Sequence, residues 1–285
     1  MFYLDICSLF LCVLFTVKYK ILGSFTDLIK DIILRDTVLS KKYALNHPRT
    51  KYTLDDILID ILYVLKTGIP WRSVRSHIHW NTLYHHFKDI VNRNIFGKLF
   101  SVLKRRYLSK RLINTLIVDT SFIPNKYGRN KIARNKFYKN KRGNKISLIT
   151  DVNGIPLSVV INKGTVHDIK FINTHLKDFS NINKPTILLA DKGYVSNNLR
   201  NTLLNKNISI MTPRKSNQKK CENFDKNLYK KRIRIENTFQ KLKIYRRINM
   251  RYDHYLKTFN SFAMLSLSLI LFNQLIIFKK TPNIL

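Results

Sequence analysis

The chain has 285 residues, with 52 Lys and Arg against 17 Asp and Glu and a formal net charge of +35. That length fits one good-sized domain with a smaller companion, and that charge exceeds what solubility requires and points to a polyanionic partner. Cys7, Cys12 and Cys221 form no ligand-spaced cluster and are odd in number, which excludes a disulfide framework, implies a reducing compartment and predicts no structural zinc.

An AT-rich genome, in which Lys and Asn are common, would explain part of the charge, but the charge is clustered. Residues 125–145 hold nine Lys or Arg and no acid, and residues 211–251 hold fourteen against three acids. The first 40 residues show no motif and form an extension of uncertain structure. Within it Met1 to Val17 is nearly long enough to span a bilayer. It carries Asp5 and has no basic residue before the apolar run, so it is a poor signal peptide and reads as a buried or irregular helix.

Residues 41–112 read as a helical, DNA-binding module. Leu54, Ile57, Leu58, Ile61, Leu62 and Leu65 recur at helical spacing, Thr53 with Asp56 offers an N-terminal cap, and Gly68 with Pro70 stops the helix. A short segment with Trp71 and Arg72 follows, then a helix over Asn81 to Val91 with Asn81 as its cap and Leu83, Phe87 and Ile90 on one face. Three short helices around a turn suit a helix-turn-helix.

Residues 113–285 switch to strand periodicity. Thr115 to Val118 leads into Asp119, Lys145 to Thr150 and Ile155 to Ile161 flank an Asp-Val-Asn-Gly turn, and Thr186 to Ala190 leads into Asp191. A short strand over Ile208 to Thr212 completes the set. Helices are predicted over Asp168 to Asp178, Ser196 to Leu204, Asn227 to Tyr245 and Phe259 to Phe278. The last is apolar but interrupted by Asn260, Ser261, Ser266, Ser268, Asn273 and Gln274, and reads as a core helix rather than a membrane span. The fold class is α/β, and residues 125–140 form a Lys/Asn-rich loop that is either phosphate-tracking or simply solvated.

Asp119 and Asp191 each follow an apolar strand, where an ionised carboxylate costs several kcal/mol unless it is compensated. Glu236 is one of only two glutamates. In LYKKRIRIENTFQKLK it shares a helical stripe with Tyr229, Arg232 and Lys243, at offsets of three, seven and fourteen residues from Tyr229. Three hard oxygen donors with no His or Cys nearby favour magnesium or manganese. Two such ions would bracket a phosphodiester.

The order Asp119, Asp191, Glu236 and the complete Tyr-x2-Arg-x3-Glu-x6-Lys pattern closely resemble the DDE transposases of bacterial insertion sequences, in the related families numbered four and five. DTSFI, KRGNKISLITDVNGIPLSVVINKGTVHD, ADKGY, TPRKSN and RYDHYLKTF look like that family's blocks in the family's order. Coverage is about residues 50 to 275. The resemblance implies an RNase H-like mixed sheet flanked by helices, after a small all-α helix-turn-helix-like module. It implies catalytic, metal-holding roles for Asp119, Asp191 and Glu236, with two divalent cations, Mg2+ or Mn2+. Tyr229, Arg232 and Lys243 would contact DNA, with Arg142, Arg214 and Lys215 as further candidates, and His167 and Asp168 in a structural turn. The implied activity is cleavage at terminal inverted repeats and transfer of the 3′-hydroxyl ends into target DNA. The alternative is a catalytically silent, transposase-derived DNA-binding protein. Partners would be DNA and a second copy in a synaptic homodimer, with no membrane. The location would be the bacterial nucleoid, or the nucleus for a eukaryotic or viral genome.

Overall fold

Alternation of apolar side chains at helical spacing in the first third and at strand spacing afterwards gives two units in the computed structural model, which describes residues 23–43, 51–179, 185–213 and 224–280. One unit comprises Met1–Val64 and Ile69–Leu99, the other Leu65–Gly68 and Phe100–Leu285. The Met1 to Val17 stretch and the three cysteines lie outside the described residues.

The first unit is all helical: α1 (residues 23–34), α2 (Leu39–Tyr43), most of α3 (Leu54–Thr67), α4 (Trp80–Asn92) and the start of α5 (Ile95–Leu108). Phe25, Ile29 and Ile33, four residues apart, are fully buried, as are Ile57, Ile61, Leu83, Phe87 and Ile90. Residues 23–43 are thus part of this unit's core. Asp36 anchors them: its carboxylate accepts from Arg93 Nε at 2.9 and 3.1 Å, from Lys98 Nζ at 3.0 Å and from the amides of Val38 and Leu39. Burial alone would push its pKa up, but Lys98, Arg93 and the two amides overcome burial and hold it well below the usual carboxylate range. Thr53 and Asp56 cap α3 reciprocally, and Gly68, at φ +70°, follows its end. The cap of α4 is His79, whose Nδ1 accepts from the Asn81 amide at 3.4 Å, so the helix begins at Trp80 and not after Asn81.

The second unit is built on β1 (Thr115–Pro124), β2 (Ala133–Asn135), β3 (Lys141–Asp151), β4 (Pro156–Lys163), β5 (Thr186–Leu189) and β6 (Ile208–Met211). They form one mixed sheet in the order β2-β3-β1-β5-β6, with β4 on the same edge of β3 as β2. Strands β1, β3 and β4 form an antiparallel meander, whereas β5 and β6 run parallel to β1. The helices are α6 (Ile169–His175), α7 (Asn197–Leu204), α8 (Lys226–Lys230), α9 (Ile233–Lys243), α10 (Arg246–Asn249) and α11 (Leu256–Lys280). Strand β1 continues five residues past Asp119, because β3 keeps pairing with it as far as Pro124 opposite Gly143. Asp119 therefore lies within a strand rather than at its end.

Leu256–Ile277 within α11 is long and apolar enough to cross a membrane. It nevertheless buries Phe259, Phe262, Ala263, Leu265, Leu267 and Leu271 completely and packs against β4 and α9. Its serines are satisfied within the helix, with Ser266 Oγ donating to Phe262 O and Ser268 Oγ to Met264 O.

A fully buried imidazole ties α6 to the sheet. His175 Nδ1 lies 2.7 Å from Ser158 Oγ on β4 and its Nε2 2.9 Å from Ser147 Oγ on β3, while Ser158 Oγ donates to Asp178. Burial pushes the His175 pKa down to about 3. The unfolded chain takes up this proton near pH 6.5 and the folded chain does not until about pH 3, so stability falls as pH drops through that window. His86, pushed down to about 4 chiefly by burial, acts in the same direction. Thermal melts should therefore show a falling Tm from about pH 7 to about pH 5, and His175→Gln should flatten that slope in part. An unchanged slope in the variant would remove His175 as its source.

Candidate active site

Strands β1 and β5 pair in parallel with Thr115 opposite Ile187, Leu116 opposite Leu188 and Ile117 opposite Leu189. Asp119 and Asp191 each follow the last of these pairs by two residues, and the Asp191 carboxylate lies near enough to act on Asp119. Asp119 Oδ1 accepts from the Thr120 amide at 2.8 Å, and its Oδ2 accepts from Arg232 Nη2 at 2.9 Å. Asp191 begins the turn Lys192–Tyr194, accepting from the Gly193 amide at 2.8 Å. Burial pushes the Asp119 pKa up; Arg232 and the Thr120 amide pull it down, Asp191 pushes it up further, and the net direction is upward.

Arg232 owes its position to an interruption in the helix. The sequence predicts one helix from Asn227 to Tyr245. Instead α8 ends at Lys230 and α9 begins at Ile233, and the amides of Lys231, Arg232, Arg234 and Ile235 each bond the carbonyl three residues back. This is 3₁₀ geometry, tighter than α, and it shifts the phase of α9 relative to α8. Tyr229 Oη accepts from Arg232 Nη1 at 3.3 Å. Arg232 Nε is buried without a hydrogen-bond partner.

In α9, Ile235, Thr238, Phe239 and Leu242 face the core, and Glu236, one turn beyond Arg232, is exposed. The structure thus brings Asp119, Asp191, Arg232 and Tyr229 together. Glu236 does not converge with the aspartates, and no group of three or more His, Cys, Asp or Glu stands close enough to hold a metal among the described residues. Lys243 is half-buried, with its pKa pushed down by burial and no acid paired with it among the described residues. Arg142 is exposed on β3, directly opposite Arg134 of β2. Arg214 and Lys215 lie outside the described residues.

Sequence reasoning overlooks several side chains around these acids. Asp168 leaves α6 uncapped and instead takes Lys145 Nζ at 2.7 Å, with the side chains only 25% and 14% exposed. Tyr194 is buried, and its phenol is pushed up by burial and by the charges of Asp168, Asp119 and Asp191. Tyr138 is pushed up by burial, Asp168 and Asp119. The available signal was Tyr194 closing the ADKGY block and Asp168 closing GTVHD.

Residues 110–271 match the family model described as the transposase DDE domain. The chain belongs to this family of DDE transposases. No protein of curated function matches it in sequence. Among solved structures, the DDE transposase chain is similar to the piggyBac transposase in a synaptic complex with hairpin DNA, at a TM-score of 0.56 and 9% identity, over 90% of this chain and 76% of that one. It is also matched by the catalytic domain of the Mos1 mariner transposase, at a TM-score of 0.28 and 12% identity, over 61% and 88%. The first likeness supports the fold, an RNase H-like mixed sheet flanked by helices.

Transposases of the DDE family use divalent metals, and the donors here suit hard cations. Asp119 and Asp191 present carboxylate oxygens next to one another, and the half-buried Asp119 already draws one cation, Arg232, at 2.9 Å. The position of α9 over this pair depends on the turn Asp151–Gly154. Thr238 Oγ1 donates to Gly154 O at 2.6 Å, and a Cβ at Gly154, where φ is +77°, would stand 2.8 Å from Arg234 O. Gly154→Ala should cost roughly 1–3 kcal/mol in a denaturant melt and speed amide exchange over residues 235–242. Unchanged exchange there would mean that the turn does not fix α9.

Proposed function

We propose that this DDE transposase cleaves DNA at terminal inverted repeats and transfers the 3′-hydroxyl ends into target DNA, acting as a homodimer that synapses two ends. The observation that carries the reading is that Asp119 and Asp191 follow paired strands and act on one another, with Arg232 bonded to the first. Asp119 and Asp191 would hold divalent ions, Mg2+ or Mn2+, with Glu236 as a further donor once α9 carries it toward the pair; such ions would supply activation of the attacking oxygen and stabilisation of the leaving one.

The chain's own groups have distinct tasks. Arg232, with its unpaired Nε, and Tyr229 offer donors to a phosphate oxygen beside the aspartates. Lys145 neutralises Asp168, so this third aspartate does not repel the phosphodiester. Tyr194, neutral and buried against the acids, excludes water from that side. Lys243, with its ammonium already partly desolvated, gains most from a phosphate partner.

A labelled duplex carrying the gene's own flanking inverted repeat, incubated with Mg2+, with Mn2+ or with chelator, tests the reading. Nicking at the repeat terminus should require metal. Asp191→Asn and Glu236→Gln should each lower the rate at least about 100-fold, beyond the 10–100-fold that losing an outer-shell partner costs. Repeat-specific binding without cleavage at any metal concentration would instead support the silent DNA-binding alternative.

A further inference from the structure

Phe137 is 97% exposed, the most exposed large apolar side chain described. A single exposed apolar residue is ordinary on any surface, but this one is held in place by its surroundings. Strands β2 and β3 form a hairpin with Asn135 opposite Lys141, and its tip is a 3₁₀ turn over Lys136–Tyr138 followed by Lys139 and Asn140 in left-handed conformation, at φ 52° and 58°. Asn135 is buried; its side chain accepts from the Phe137 amide at 2.9 Å and donates to Gly164 O at 2.5 Å. The next residue, Tyr138, stacks on Phe122 of β1 with ring centres 4.4 Å apart and planes 14° apart. The Phe122 ring in turn fills the space left by Gly143 and Gly164, where a Cβ would stand 2.4 and 2.8 Å from it. The tip is therefore tied to the strand that carries Asp119, three residues before Phe122.

The charges around the ring select its occupant. Arg134, Lys136, Lys139, Lys141 and Arg142 are all exposed on this hairpin, and residues 125–145 contain no acid. Arg134 and Arg142 face one another across the strands, an arrangement that is destabilising unless an anion lies between them. An apolar protein face or a lipid tail would leave those cations unmatched. A nucleic acid supplies both phosphates for the cations and aromatic faces for the ring.

We propose that Phe137 is a stacking wedge for DNA, its ring packing on a base displaced from the duplex end that lies at Asp119 and Asp191, while Arg134, Lys136, Lys139 and Arg142 hold the phosphates on either side. This rests on the reading of the aspartate site as a DNA-processing site. A planar side chain set among cations on a turn whose backbone is held by Asn135 fits an unstacked base, because every base offers an aromatic face. The hairpin tip is then part of the substrate interface, and the stack of Tyr138 on Phe122 fixes how far the wedge stands from the scissile phosphate.

The test uses the full chain and the flanking-repeat duplex with 2-aminopurine at the terminal base or at either of the next two, with Ca2+ in place of Mg2+ so that cleavage is not the readout. Wild type should raise the fluorescence at one of these positions at least about twofold, as unstacking does. Phe137→Ala should abolish that rise and weaken end binding about tenfold, the scale of one base–aromatic stack. Phe137→Trp should restore both. Equal melting temperatures for wild type and Phe137→Ala confirm that the exposed ring is not structural. If wild type binds the duplex with steep salt dependence but Phe137→Ala gives the same fluorescence and affinity, the wedge is overturned and the DNA reading stands. If wild type shows no salt-dependent binding to any duplex, the DNA reading fails and the wedge with it.

Discussion

Everything at the candidate site depends on the parallel pairing of β1 with β5, because these strands lead into Asp119 and Asp191, each two residues beyond the last paired positions, Ile117 and Leu189. Neighbouring strands lie about 4.8 Å apart. Two ionised carboxylates on adjacent strands repel, and Asp191 accordingly pushes the Asp119 pKa up. Desolvation of Asp119 adds to this cost. A fold tolerates such a pair only if it brings cations to it, and the surrounding elements do so.

The closest cation is Arg232, and its placement shows how local backbone geometry is turned to that purpose. An uninterrupted α-helix from Asn227 onward would have kept Tyr229, Arg232 and Glu236 in one stripe. The 3₁₀ bonds at Lys231 to Ile235 break the phase. Arg232 then reaches Asp119, while Ile235 faces the core and Glu236 is left exposed next to it. The glutamate is one helical turn from the arginine, close enough to share a substrate, without being packed against the aspartates. Thr238 and the Asp151–Gly154 turn hold the rest of α9 on the sheet.

Much of this was legible in the sequence, for identifiable reasons. Apolar strands leading into Asp119 and Asp191 revealed the paired acids, since alternation and burial are local properties. The Thr53 and Asp56 cap and the Gly68 stop were readable from residue chemistry alone. Strand β1 outlasting Asp119 was not readable, because its continuation is set by a partner strand more than twenty residues away. The break between α8 and α9 was equally hidden: LYKKRIRIENTFQKLK keeps helical spacing across it, and tertiary packing decides where the tight turn falls. Asp168 read as a turn residue because its partner, Lys145, comes from β3. The hairpin tip at Phe137 was obscured by its Lys/Asn-rich composition, which looks the same whether the loop is solvated or shaped.

The charge balance at the site runs against the charge of the molecule. Asp119, Asp191 and Asp168 bring three negative charges, and their partners Arg232 and Lys145 bring two positive ones, leaving this group at −1 on a chain of +35. The basic hairpin and the lysines of α8 and α9 would draw a polyanion in from a distance of about a Debye length, roughly 8–10 Å. Its phosphodiester would then meet net repulsion at the last step. A surface that only bound DNA would gain by replacing those acids with neutral residues, since each weakens the attraction. Their presence on so basic a chain is therefore better explained by hard divalent cations than by DNA binding alone, because such cations reverse the local sign.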